Sequence, residues 1–146
     1  MTFFGSKKQK APKQTVQQQV PDSPSSRLKE FIPNDEKLFT ALQNFLLADP
    51  ERQLAMLGTT DSLLAKGDAA KASGDKLVAR MNYETAAKIE IYKQNKDTAE
   101  KSIRLANEVT EANDPHKASY ETMLGNIDEV LRVSKLYSAS ISHKKA

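Results

Sequence analysis

The chain has 146 residues and a formal net charge of +3, and it contains neither cysteine nor tryptophan. Without cysteine it can form no disulfide, no thiolate metal site and no cysteine nucleophile, which is typical of a reducing compartment, so we expect a cytoplasmic protein. No apolar run reaches the roughly 18–20 residues that a membrane-spanning helix needs.

The first predicted region is a disordered tail over residues 1–33, rich in proline, glutamine and serine. It holds four of the six prolines, and it has too little apolar surface to offset the entropy lost on ordering. Residues 1–30 carry six basic and two acidic side chains. The positive charge of the chain is therefore concentrated here, and no broad basic face for nucleic acid is predicted for the rest.

The tail contains the sequence FFGSKK at residues 3–8. Two phenylalanine rings can enter a lipid headgroup region while lysines attract anionic lipid, each contributing about 1 kcal/mol. The segment also resembles the N-terminus of ESCRT-III subunits, which touches membrane in that family. Attachment to an anionic membrane surface through Phe3, Phe4, Lys7 and Lys8 is therefore the alternative function, with nucleic acid a less favoured ligand of the lysines.

Residues 34–138 are predicted to form an all-α domain, a bundle of five or six helices without a β-sheet, because apolar residues recur every three or four positions. Asn34 or Asp35 can cap the first helix. Asp49-Pro50 predicts the start of the second, since proline is favoured in a first turn. A break is expected after Gly58, with Asp61 as the next cap.

Three further signals divide the second half of this domain. Gly74-Asp75 predicts a turn, Asp97 can cap a helix, and Asp114-Pro115 is the clearest stop and restart in the chain. The final helix is predicted to run unbroken to residue 138, and residues 139–146 to form a frayed basic C-terminus. The helix after Gly74-Asp75 is predicted to turn one set of apolar residues inward: Val78, Met81, Ala86, Ile89 and Tyr92.

Residues 63–87 resemble a tetratricopeptide (TPR) repeat, a helix–turn–helix with large, small and aromatic residues at fixed spacing. The matching residues are Leu63, Gly67, Gly74-Asp75, Ala79, Tyr83 and Ala86. The resemblance implies a TPR-like hairpin whose helices approach closely at Gly67, with Tyr83 covering the seam. Because no second copy follows, a single hairpin inside an ordinary bundle is favoured over a true repeat stack.

Residues 63–112 also resemble, in their periodicity, the three-helix microtubule-interacting-and-trafficking (MIT) domain, whose groove holds a partner helix. We therefore predict a groove on the hairpin that binds a segment of a protein partner. The candidate residues are basic side chains and the apolar residues beside them: Lys66, Ala70, Lys71, Leu77 and Arg80. Homo-oligomerisation through the apolar stripe of the last helix is a further prediction, since the predicted core is small.

Residues suited to catalysis are sparse. His116 and His143 are the only histidines, and neither has the spacing of a metal ligand to another histidine. Acidic residues stand beside lysines at helical spacing, as in Glu84 and Lys88, which is typical of a solvated helix face. We therefore expect no enzyme activity, no catalytic residues, no bound metal and no cofactor.

Overall fold

The structure, a computed structural model, describes residues 24–43 and 45–145, with side chains described over 27–43 and 45–141. The described residues form eight α-helices and no strand. The helices are α1 (Pro24–Phe31), α2 (Glu36–Leu42), α3 (Pro50–Leu57), α4 (Thr60–Ala72), α5 (Lys76–Tyr92), α6 (Lys96–Glu108), α7 (Pro115–Gly125) and α8 (Ile127–Lys145). The all-α prediction is confirmed, but the described part of the chain has more helices than the five or six predicted.

Several helices begin where the sequence predicted, because their caps are local contacts. Asp35, Asp75 and Asp114 each accept a hydrogen bond from a backbone N–H in the first turn of α2, α5 and α7. Pro50 and Pro115 occupy the first turns of α3 and α7, where a missing N–H costs nothing.

Two predicted caps are displaced by two residues. Thr59, not Asp61, caps α4, and its hydroxyl accepts from the N–H of Ser62. Asn95, not Asp97, precedes α6. In both cases the acidic residue lies in the first turn instead, where its charge still complements the helix dipole.

The last predicted helix is divided in two at Asn126. This residue leaves the helical region, with φ −133° and ψ 34°, and its side-chain amide donates to the carbonyl oxygen of Thr122 at 2.8 Å. The break lets α8 depart from the direction of α7 and pack against α5 and α1.

The predicted limits of the tail and of the C-terminus also differ from the structure. The tail was expected to extend to residue 33, but Pro24–Phe31 is helical, and Leu28 and Ile32 are buried in the core beside α8. Two aliphatic side chains four residues apart suffice to dock α1, because α8 supplies the missing apolar surface. At the other end α8 continues to Lys145, past residue 138.

Helix α5 is central to the fold. Short turns join it to α4 and α6, so that α5 runs antiparallel to both of these neighbours. It also contacts α8 and α3. Helix α2 packs against α7. Gln94 adopts a positive φ of 66° in the turn after α5, and its side-chain amide donates to the carbonyl oxygen of Leu131 at 2.9 Å, which fastens this turn to α8.

Helices α4 and α5 are in close contact at Gly67. Gly67 of α4 lies directly against the ring of Tyr83, which is fully buried. The hydroxyl of Tyr83 donates to Asp68, with 2.5 Å between the two oxygens. This contact fixes the separation of α4 and α5 and thereby the surfaces that the two helices present.

Candidate functional site

The predicted groove residues of α4 lie on different sides of that helix. Lys71 forms an ion pair with Glu108 of α6, with 3.6 Å between Nζ and Oε1. Ala70 is half-buried and packs against the main core. Lys66 is exposed, and because it precedes Lys71 by five residues it lies about 140° away around the helix. The two lysines therefore do not face one shared groove.

An apolar strip is exposed on the outer face of α5. Leu77, Val78 and Met81, which we call the α5 strip, have exposed fractions of 57%, 41% and 56%. Asn82 and Thr85 continue this face, and they donate to the carbonyl oxygens of Val78 and Met81 in their own helix. From Leu77 to Thr85, about 12 Å of helix, the outward face carries no charge.

The α5 strip corrects the predicted orientation of this helix. Ala86 and Ile89 are buried as predicted, but Val78 and Met81 are exposed, and Ala79 and Tyr83 are buried in their place. The signal was present in the spacing, since small residues and one tyrosine recur every three or four positions where α4 approaches closely. The prediction failed at Val78 and Met81 because it assigned the larger apolar side chains to the core.

A row of charged residues borders the α5 strip, each member one turn from the next: Lys76, Arg80, Glu84 and Lys88. The side chain of Lys76 is exposed and lies 3.4 Å from Glu111. Glu84 forms an ion pair with each neighbour, at 3.9 Å from Arg80 and 3.6 Å from Lys88. The row itself holds three cations and one anion, and with Glu111 beside Lys76 an excess of one positive charge remains.

The charged row is anchored to the neighbouring helices. The hydroxyl of Tyr120, on α7, donates to Glu84; burial, followed by this hydrogen bond, raises the pKa of Tyr120. Lys88 lies over the ring of Phe45, with 5.6 Å between Nζ and the ring centroid. Arg80 and Lys88 are therefore held at the edge of the strip rather than free in solvent.

A groove runs between α2 and α7 on the other side of Glu84. It consists of two adjoining cavities of about 340 and 670 Å³ that share Thr40, Pro115 and Ser119. We call this the α2–α7 groove. Its remaining lining residues are Glu36, Lys37, Ala41, Gln43, Phe45, Glu84, His116, Ala118, Tyr120, Glu121, Thr122 and Met123.

His116 contacts Asp114, the residue that caps α7. Its Nδ1 lies 2.8 Å from Asp114 Oδ1, and its backbone N–H donates to the same carboxylate. The backbone hydrogen bond, then the side-chain contact, lowers the pKa of Asp114. The contacts between His116 and Asp114 therefore stabilise the start of α7. The side chain of His143, the other histidine, lies outside the part of the chain whose side chains are described.

The predicted membrane-surface residues Phe3, Phe4, Lys7 and Lys8 lie outside the described residues. Within the described part of the chain, no helix combines the length and apolar character needed to cross a bilayer. Nor do the described residues include a group of three or more histidine, aspartate or glutamate side chains placed to hold a metal ion.

No protein-family model matches the chain, and neither a curated protein nor a solved structure gives a significant match. The resemblances to TPR repeats, MIT domains and ESCRT-III N-termini therefore remain predictions.

Proposed function

We propose that the protein is a non-enzymatic interaction module that binds an amphipathic helix of a protein partner along the α5 strip. The observation that carries this proposal is the exposure of Leu77, Val78 and Met81 side by side on the central helix. Single exposed apolar residues are common on protein surfaces, whereas large apolar side chains exposed side by side favour an interaction surface.

The charges beside the strip favour a particular partner chemistry. A helix that lays an apolar face over Leu77 and Met81 would place its own edge against the row that contains Lys76 and Arg80. Because that row is net positive, acidic residues along the partner's edge would complement it and speed association. The proposed ligand is therefore a helix with apolar residues three and four apart and an acidic flank.

This surface differs from the inter-helix groove expected from the sequence. Leu77 belongs to it and Arg80 borders it. The other predicted groove residues lie outside this surface, because Lys66, Ala70 and Lys71 are on α4. Ala70 also packs against the core.

Site-specific photo-crosslinking tests the proposal. A photo-reactive amino acid replaces Met81 in the full chain, and a matched control carries it at Met56, which is 74% exposed on α3. We expect a crosslinked partner specific to position 81. The same products from both positions, or only crosslinks between copies of this chain, would overturn the proposal.

Binding by the purified pair then tests the chemistry. Leu77→Asp with Met81→Asp should weaken binding of the crosslinked partner at least about tenfold, because burying a carboxylate in an apolar contact is costly. Met56→Asp should leave the affinity unchanged. Equal loss with both variants would show that general acidity, not the strip, is responsible.

A further inference from the structure

We infer that the surface for the partner helix continues beneath α3, and that α3 is a displaceable cover over its second half. This half consists of Leu63 on α4 with Ala86 and Ile89 on α5, which we call the covered patch. The inference rests on the proposed function, because it concerns the same outer face of α5. It adds that the partner helix must release α3 in order to bind along the whole of that face.

The covered patch is a small apolar cluster beside the main core. Its three side chains are at most 6% exposed, and they form a cluster of their own. The half-buried side chains of Leu54 and Leu57 on α3 pack against this cluster. Because these leucines cover the cluster from outside, release of α3 would uncover apolar surface while the main core stays closed.

The covered patch continues the α5 strip along one side of the helix. A single row of residues follows this side at intervals of four, three and four positions: Val78, Asn82, Thr85 and Ile89. Such intervals keep side chains on one face of a helix. From Leu77 to Ile89 the face extends about 18 Å, of which the first 12 Å or about two thirds are left uncovered.

Helix α3 is held by few kinds of contact. Of its eight residues only Pro50 is buried. Gln53 accepts from the backbone N–H of Asp49 at the start of the same helix, and among the described residues no hydrogen bond or ion pair joins a side chain of α3 to another helix. Gly58, which follows α3, has a φ of 88°, and glycine lets a linker change direction at little steric cost. Apolar contacts alone therefore attach the side chains of α3 to the rest of the fold.

A longer helix would make contacts that α3 does not make. Helix α3 spans only about 12 Å, and it leaves Leu77, Val78 and Met81 exposed. A partner helix of about 12–15 residues would extend over both halves of the face, and its acidic flank would meet the net positive row beside the α5 strip. While α3 is in place, it lowers the apparent affinity for such a partner, because only the uncovered fraction of the molecules is competent to bind.

The absence of cysteine from the sequence permits a test that needs no partner. Ile89→Cys places a single thiol in the covered patch, and the matched variant Ile91→Cys places one in the main core; both isoleucines are at most 1% exposed. Each thiol reacts with iodoacetamide under native conditions, and urea unfolding gives the rate that global unfolding alone would allow. We expect the thiol of Ile89→Cys to exceed that rate at least about 100-fold and the thiol of Ile91→Cys to match it.

A second pair of variants repeats the comparison without removing core volume. Ala86→Cys belongs to the covered patch and Ala87→Cys to the main core, and both alanines are fully buried. If neither patch thiol reacts faster than global unfolding allows, or if the core thiols are accelerated equally, α3 is not a separate cover and the inference is overturned.

The purified protein that crosslinks at position 81 is the probe for the second test. Leu54→Ser with Leu57→Ser detaches α3 and should strengthen binding of this protein about tenfold, because the covered fraction falls. Met56→Asp, at a position that is 74% exposed on the same helix, should leave the affinity unchanged. When the probe binds the wild-type chain, the amide hydrogens of α3 should exchange faster with solvent.

The outcomes separate this inference from the proposed function. If the double leucine variant binds the probe no more tightly than the wild type, or unfolds as a whole, the inference is overturned and the α5 strip remains the entire binding surface. If no protein crosslinks specifically at position 81, both proposals fail.

Discussion

Gly67 and Tyr83 are packed so tightly that a Cβ atom at position 67 would clash with the tyrosine ring unless the ring shifted. A Cβ atom built on Gly67 would lie 2.5 Å from Cε1 and 2.7 Å from Cδ1 of the Tyr83 ring. The ring cannot move away easily, since it is fully buried and its hydroxyl is bonded to Asp68. The backbone of α4 therefore rests on an aromatic ring of α5, and this contact sets the geometry of the hairpin.

Gly67→Ala is expected to destabilise the protein by about 1–3 kcal/mol, because the added methyl group must displace the Tyr83 ring. The clash should outweigh the roughly 1 kcal/mol that alanine normally gains over glycine within a helix. Gly125→Ala is the matched control, since a Cβ there meets nothing within 4 Å, and it should be neutral or stabilising. Thermal and urea unfolding measure both, and a Gly67→Ala variant as stable as Gly125→Ala would refute the packing argument.

A buried carboxylate joins the start of α4 to the end of α5. Glu90 is buried, and it accepts from the hydroxyl of Thr60 at 2.6 Å and from the side-chain amide of Asn95 at 2.9 Å. Thr60→Val should cost about 1–3 kcal/mol, because a buried charged acceptor loses a donor.

The control for Thr60→Val is Thr85→Val. The Thr85 hydroxyl bonds only within its own helix, to the carbonyl oxygen of Met81, and such contacts add little stability. Urea unfolding at neutral pH compares the two variants. Equal small losses would mean that the bond to Glu90 does not stabilise the fold.

Stability should fall at alkaline pH. Burial, then the hydrogen bond to Asp68 and the charges of Asp68 and Glu108, raise the pKa of Tyr83 to about 12. Because this pKa lies above the value near 10 of an unfolded tyrosine, the contribution is complete below pH 10 and is lost as the pH rises towards 12. For Tyr83 it amounts to something on the order of 1–3 kcal/mol.

Urea unfolding between pH 8 and pH 11.5, with tyrosinate followed by ultraviolet absorbance, measures this dependence. Tyr83→Phe should be less stable than the wild type at pH 8, since Asp68 loses its donor. It should lose less stability than the wild type on the way to pH 11.5. Parallel curves for the two proteins would contradict the assignment to Tyr83.

The α5 strip should contribute little to folding, because its side chains are exposed. Leu77→Ser and Met81→Ser should each change the free energy of unfolding by less than about 0.5 kcal/mol. Leu42→Ala, at a fully buried position, should cost about 2–5 kcal/mol. A large loss from either strip variant, measured by urea unfolding, would mean that these side chains belong to the core.

The sequence alone determined the helical class and half of the eight described helix starts, those of α2, α3, α5 and α7. The helix caps Asp35, Asp75 and Asp114 accept hydrogen bonds from N–H groups within three residues of themselves. A few neighbouring positions in the sequence therefore suffice to predict these helix starts. The resemblance to a TPR repeat also implied a close approach at Gly67, because that motif has a small residue at this position and an aromatic residue later in the repeat.

Only the tertiary structure decided which residues are buried and which are left on the surface. Leu28 is buried beside α8, a helix that begins 99 residues later. Met81 is exposed because Ala79 and Tyr83 occupy the inward positions against α4. Local hydrogen bonds act between neighbours in sequence, whereas burial depends on surfaces that distant segments supply, and a pattern of apolar spacing does not contain that information.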